Sequence, residues 1–369
     1  MTVETGGAIT VAPQDIELIQ LLTPEGERVD HPKYPLDDDV DLKGMYRDMV
    51  LVRRIDTEAI ALQRQGELGL WASLLGQEAA QVGSGRALSP RDMAFPSYRE
   101  HGVAWCRGLD PARLLELFRG VNQGSWDPEE HKFHLYTIVI GDQTLHATGY
   151  AMGIQRDSSE DEAVIVYFGD GATSQGDVSE AFAWASVFHA PVVFFCQNNQ
   201  YAISAPQERQ SPIPLYKRAD GFGFPGVRVD GNDVLACHAV TRHALRAARE
   251  GQGPTLIEAF TYRMGAHTTT DDPTRYRLTS ELETWRLRDP IERVRVYLAR
   301  TGQANAAFFE QIDAEAAELG TRVRQACHDL PDPAPLTVFD HVYTGANAIL
   351  DAERAQYEAY LDGFEEAAR

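Results

Sequence analysis

Two uninterrupted apolar runs, "EAVIVYFGD" (162–170) and "PVVFFCQNN" (191–199), enclose a helical stretch, "DVSEAFAWASVFHA" (177–190), and this arrangement limits the fold more than any other feature. A strand with one face in water alternates apolar and polar residues. These runs do not alternate, so both of their faces are covered. Strands joined through a helix run parallel. The joining helix is apolar on most faces, which places Trp184 and Phe188 in the core. Further on, "GVRVDG", a helix from "NDVLACHAVTRHALRAAREG" and the strand "GPTLIEAFTYRMG" continue the alternation. The expected fold is α/β, a parallel sheet covered by helices on both faces.

Around this centre the chain divides into three parts. Residues 1–40, rich in Pro, Asp and Gly, read as an N-terminal arm lying on something else. Residues 41–300 form the α/β domain. They open with helical periodicity from "DLKGMYRDMVLVRRIDTEAIALQRQGE" to Gly66, then "GQEAAQVGSGRAL", then "DPARLLELFRG" with Asp110 as N-cap and Pro111 at the first helical position. Residues 301–369 read as a C-terminal helical tail.

The formal charge of −21 argues against a general affinity for nucleic acid or anionic membranes. The four scattered cysteines form no CxxC pair, which is the pattern of a reducing compartment. No signal peptide is recognisable, and no apolar run is long enough to span a bilayer. The expected location is the cytoplasm.

In open parallel sheets, ligands bind at the carboxyl ends of the strands. Gly169-Asp170-Gly171 marks one such end and Asn198-Asn199 the next, with Asn199 following Asp170 by 29 residues. Alone, an Asp between glycines is ordinary turn chemistry. Paired at that spacing on neighbouring strands about 5 Å apart, the Asp170 carboxylate and the Asn199 amide oxygen can converge on one point. One anionic and one neutral hard oxygen suit Mg²⁺ completed by phosphate oxygens. The glycines let the backbone turn sharply and approach a phosphate closely, and a helix beginning near Asp177 brings its positive end nearby.

These words, with "FPSYREHG", "GDGATSQGD", "QNNQYAIS", "VDGNDVLA", "GPTLIEAFTYRMGAHTTTDDPTRYR" and "RDPIERV", resemble the alpha subunit of the thiamine-diphosphate-dependent decarboxylase component of 2-oxo acid dehydrogenase complexes, over about residues 40 to 300. The resemblance implies a thiamine-diphosphate-binding fold. It implies that Asp170, Asn199 and the carbonyl of Tyr201 hold Mg²⁺. Gly169, Gly171 and Ala172 would line the diphosphate. Tyr98, Arg99, Arg263 and His267 would contact its phosphates, and Ile140 would lie near the aminopyrimidine ring. His267 would also steady transfer of the acyl unit to the lipoyl group. Leu70 and Trp71 match positions near the substrate pocket.

The resemblance further implies a beta subunit that supplies the activating glutamate, an assembly of two alpha and two beta chains, and a lipoyl-bearing acyltransferase as acyl acceptor. Alone, the chain would be inactive. Branched-chain 2-oxo acids are the favoured substrates, with pyruvate and then acetoin as alternatives. Gln197 stands where some relatives carry a phosphate-touching arginine, and Leu70 where many carry Phe. Two readings from other classes remain: a non-catalytic Mg²⁺-phosphate binding protein, and a nicotinamide enzyme, the latter disfavoured by the lack of G-x-G-x-x-G after a first strand.

Overall fold

A computed structural model describes residues 17–367, apart from 38, 123, 125 and 158–160. Its centre is a five-stranded, wholly parallel sheet. In chain order the strands are β1 (Met93–Phe95), β2 (Val164–Gly169), β3 (Val192–Asn198), the two-residue antiparallel pair β4 (Tyr201–Ala202) and β5 (Ala205–Pro206) outside the main sheet, β6 (Gly226–Asp230) and β7 (Thr255–Phe260). The spatial order of the main sheet is β1-β2-β3-β7-β6. Gly169 pairs with Gln197, and Asn198 and Asp230 both pair with Phe260, so the carboxyl ends of these strands lie along one edge.

The continuous apolar strands split by parity. Ile165, Tyr167, Val193 and Phe195 pack into one core, with residues of the helices Leu42–Arg64, Glu78–Arg86 and Val234–Arg249. Val164, Val166, Phe168, Val192, Phe194 and Cys196 pack into a second core, with the helices Asp142–Arg156 and Gly176–Phe188. Successive side chains on a strand point to opposite faces, so a run without polar residues feeds both layers at once.

One expectation is overturned. Trp184 and Phe188 are not core: they stack on each other at 5.4 Å with 49% and 48% of their surface exposed. The helix Gly176–Phe188 buries only Val178, Ala181, Phe182 and Ala185. Its other apolar face is turned outward.

The first 16 residues of the arm lie outside the described residues. From Ile19 the arm lies on the free edge of the sheet: Ile19 N–H donates to Arg228 O and Ile19 O accepts from Asp230 N–H, both at 2.9 Å. The amides of Leu21 and Leu22 donate to Asp233 Oδ2 at 2.6 Å. An otherwise open strand edge is thereby covered. At the other end of the chain, Ala306–Asp329 packs Phe309 and Ile312 into the first core, while Tyr360 and Phe364 of Ala348–Ala367 are exposed. No helix among the described residues is long and apolar enough to cross a membrane.

Candidate active site

At the carboxyl edge of the sheet the loops leaving β1, β2, β3 and β7 enclose a cavity of about 250 Å³. Every residue singled out from the sequence for cofactor or metal lines it. Tyr98 and Arg99 follow β1, and Gly169 to Ala172 end β2 and begin a short 3-10 turn. Asn199 and Tyr201 follow β3, Arg263 and His267 follow β7, and Ile140 precedes the helix Asp142–Arg156. Leu70 and Trp71 do not line it. Trp71 is fully buried, stacked on His101 at 4.2 Å, with its indole N–H on Asp56.

At one end of the cavity three oxygens face one another. Asn199 Oδ1 lies 3.3 Å from Asp170 Oδ1 and 3.2 Å from the carbonyl of Tyr201. Turning the amide over would convert these into hydrogen bonds. It would also set the amide oxygen against Gln77 Oε1, to which Asn199 Nδ2 now donates at 3.3 Å, unless the Gln77 amide, whose Nε2 has no partner, turned with it. The present orientation keeps that bond and a 3.4 Å contact from the Tyr201 amide. Its oxygen spacing is close to the ~3 Å edge of an octahedron with ligands at 2.0–2.1 Å, so the donor set fits a hard divalent cation. Burial raises Asp170 to about 6, against hydrogen bonds such as that from Gln210 Nε2 at 2.9 Å.

The wall beside these oxygens is cationic. Arg263 is 1% exposed and held by the carbonyls of Tyr201 at 3.0 Å and Ile203 at 2.6 Å. Burial and then the like charge of Arg99 push its pKa below the ordinary value. An anion in the cavity would relieve both pressures. Arg99 is anchored on the carbonyls of Ser73 and, at 2.9 Å, His267.

Both guanidinium groups reach His267 Nδ1 at 3.3 Å. Arginine only donates, so Nδ1 carries the lone pair and the proton sits on Nε2. Burial, then Arg99 and Arg263, lower this ring to about 4, and it is neutral at pH 7. It is therefore a hydrogen-bond donor, not a base.

The glycines differ in what they do. A Cβ at Gly171 would lie 2.8 Å from Ala202 Cβ, so β4 can pack there only on a glycine. A Cβ at Gly169 would meet nothing within 4 Å and would stand in open space beside the cavity. The helix Gly176–Phe188 begins at the rim, where Gln175 lines the cavity, so its positive end is close.

The segment 264–277 is folded against the site. Asp271 accepts from the His267 amide at 2.8 Å and from the Tyr276 hydroxyl, and Arg277 donates to the carbonyls of Met264 and Gly265 at 3.0 and 3.1 Å. The neighbouring aspartates divide the work. Asp272 caps the short turn Pro273–Arg275 by accepting from Thr274 N–H at 3.1 Å, while Asp271 serves His267.

Sequence reasoning missed Gln77, Gln143, Gln175 and Ile203, all of which line the cavity. Ile203 carries the one available signal, and it is conformational: its φ is +55°, rare for a β-branched residue.

Residues 46–333 match the family described as "Dehydrogenase E1 component". The chain is 46% identical over 349 residues to the "3-methyl-2-oxobutanoate dehydrogenase subunit alpha" of Mycobacterium tuberculosis (strain ATCC 25618 / H37Rv), covering 94% of this chain and 95% of that one. It is 40% identical to the "Pyruvate dehydrogenase E1 component subunit alpha" of Bacillus cereus over 82% of each chain. It is 36% identical to the protein of the same description in Acholeplasma laidlawii over 90% of this chain and 96% of that one. The chain belongs to the dehydrogenase E1 component family, the thiamine-diphosphate-dependent oxidoreductases of 2-oxo acid dehydrogenase complexes, and is an alpha subunit of that family.

Proposed function

We propose that this chain is the alpha subunit of a cytoplasmic decarboxylase component that acts on branched-chain 2-oxo acids and passes the acyl group to the lipoyl arm of an acyltransferase. The observation that carries the site is the cavity itself. Three oxygens converge in it, and directly beside them two buried arginines share a neutral histidine, Arg263 bonding both the Tyr201 carbonyl and His267. That is a fit for a divalent cation and a diphosphate side by side.

In this reading Asp170, Asn199 and the Tyr201 carbonyl hold Mg²⁺. Arg99 and Arg263 pair with the diphosphate, Tyr98 contacts it, and His267 donates its Nε2–H. The backbone at Gly169, Gly171 and Ala172 lies alongside. Ile140 and the strained Ile203 form the apolar wall toward the rest of the cofactor. Thiamine diphosphate, when bound, supplies the electron sink that decarboxylation of a 2-oxo acid requires. The residues here bind, orient and exclude water. With Nδ1 occupied by two arginine donors, His267 has one proton to offer, at Nε2, and it steadies negative charge developing nearby.

The partner is a beta chain that supplies the activating glutamate, in an assembly of two alpha and two beta chains. The outward apolar face supports this. Trp184, Val187 and Phe188 are exposed together on the helix Gly176–Phe188, with Trp184 and Phe188 stacked at 5.4 Å. Exposed apolar clusters of this kind mark interfaces.

The relative named for 3-methyl-2-oxobutanoate supports the branched-chain substrate, and those named for pyruvate support the second reading. Decarboxylation by the co-expressed alpha and beta chains, with thiamine diphosphate, Mg²⁺ and an artificial electron acceptor, separates them. Preference for 3-methyl-2-oxobutanoate is expected. Preference for pyruvate would overturn the substrate and keep the site, and activity on neither would return acetoin or a binding protein.

A further inference from the structure

Glu100 directly follows Tyr98 and Arg99 and lines the same cavity, but binding a diphosphate gives it no evident task. It is 2% exposed. Oε1 accepts a 2.6 Å hydrogen bond from Gln197 Nε2, and Oε2 is buried with no hydrogen-bond partner. Gln197 is fixed in turn, its Oε1 accepting from Gln81 Nε2 at 3.1 Å. Gln81 is held by the Arg99 carbonyl at 2.9 Å and the Gly102 amide at 2.8 Å. The nearest arginine in sequence makes no ion pair with it, because the Arg99 guanidinium hydrogen-bonds the carbonyls of Ser73 and His267.

A carboxylate in this position would be a buried charge that faces neutral amides and forms no ion pair. Proteins escape that penalty by neutralising the group. A diphosphate in the same cavity makes the charged form worse still by like-charge repulsion. A protonated carboxyl has the opposite character, since its O–H is a donor. We propose that Glu100 stands at the cavity wall as a neutral carboxylic acid, so that a site loaded with the diphosphate keeps one proton on this side chain. The proposal rests on the thiamine diphosphate reading of the cavity.

The surroundings agree with it. Burial is the main force on Glu100 and raises it to about 7, against the Ser97 amide and the Arg99 charge. Burial also keeps Tyr136, from the loop beside it, and Tyr167, from β2, in their neutral forms. His101, the next residue in the chain, is lowered by burial to about 3 and is uncharged at pH 7. Gln197 of β3 and Gln81 of the helix Glu78–Arg86 carry no charge. Across the cavity stand Asp170, Arg263 and the neutral His267.

The test is calorimetric titration of thiamine diphosphate into the full chain assembled with its beta partner, in excess Mg²⁺. It is run between about pH 6.5 and about pH 8.5 in two buffers of different ionisation heat. Wild type is expected to take up more protons per site than Glu100→Gln, the difference approaching one at the alkaline end. Its affinity should fall with pH more steeply than the variant's, by up to about tenfold per pH unit. Glu100→Gln keeps a permanent donor of the same shape and should bind at least as tightly as wild type at the alkaline end. Equal proton uptake and parallel affinity profiles would overturn the proposal and leave the diphosphate reading standing. No binding by wild type at any pH would overturn the reading itself. Should Glu100→Gln fail to assemble, the infrared spectrum of loaded wild type decides, with isotope-labelled glutamate in the alpha chain alone. A protonated-carboxyl stretch that shifts with the label at alkaline pH supports the proposal, and its absence overturns it.

Discussion

Asn198 and Asn199 are adjacent and identical in type, yet the strand end sends them to opposite duties. Asn198 is fully buried and donates to Glu258 at 2.7 Å and Gln207 at 3.1 Å, which ties β3 to β7. Asn199 turns its oxygen toward Asp170 and the Tyr201 carbonyl. Asn198→Ala is therefore expected to lower stability by about 1–3 kcal/mol, because it leaves the Glu258 carboxylate short of a donor. Asn199→Ala should leave the melting temperature nearly unchanged and weaken thiamine diphosphate binding about 10- to 100-fold, the loss of one charge-assisted contact. Thermal unfolding and ligand titration of the two variants separate these effects. A pH prediction belongs to His101. The unfolded ring takes up a proton near 6.5, whereas burial holds the folded ring to about 3. Its contribution is complete above pH 6.5 and is lost as the pH falls toward 3, by about 1.4 kcal/mol per pH unit within that window. Urea unfolding of the full chain at about pH 6.5 and about pH 5 should show this loss, and His101→Gln should flatten it. The sequence points to Asp170, Asn199, Arg263 and His267 because each follows an apolar strand and sits in a word that resembles the family. It does not name Gln77 or Gln143, since a glutamine's worth here depends on partners far away in the chain.

Among elements, the helix Gly176–Phe188 shows where periodicity runs out. Apolar residues on most faces imply cover on most faces, but they do not say whether that cover comes from the same chain. Val187, 73% exposed, sits on the outward face with Trp184 and Phe188. Val187→Glu should leave the isolated chain as stable as wild type to within about 0.5 kcal/mol, while abolishing recovery of the beta chain in co-purification. A loss of stability equal to a core substitution would instead mean that this face is covered from within. The β4–β5 hairpin makes a different point. Left-handed backbone costs a residue such as Ile203 roughly 1–2 kcal/mol. Ile203→Gly should therefore not lower the melting temperature, yet it should weaken cofactor binding by removing the apolar wall. Two further elements were silent in the sequence for physical reasons. β1 is only three residues long, and Asp142–Arg156 carries Gly149 and Gly153 where a strong helical pattern would place larger residues.

At the scale of the molecule, one parallel sheet does the positioning. The alternation of strands and helices was readable, as was the burial of β2 and β3 on both sides. The insertion of β7 between β3 and β6 was not, because it depends on which edge the returning strand finds. That insertion matters to the site: it carries Arg263 and His267 to the strand beside Asn199, opposite the Asp170 turn. The arm residues Ile19 to Leu22 then close the β6 edge, so the sheet offers its carboxyl edge rather than its side. In the proposed function this edge holds thiamine diphosphate through a cation gripped by Asp170, Asn199 and the Tyr201 carbonyl. Equilibrium binding of thiamine diphosphate to the alpha–beta assembly, with Mg²⁺ and with a chelator, for wild type and Asp170→Ala, tests it most directly. Tight binding is expected only for wild type with Mg²⁺, with a fall of at least about 100-fold either on chelation or on substitution. Binding by Asp170→Ala that equals wild type, or that ignores the chelator in both proteins, would contradict it.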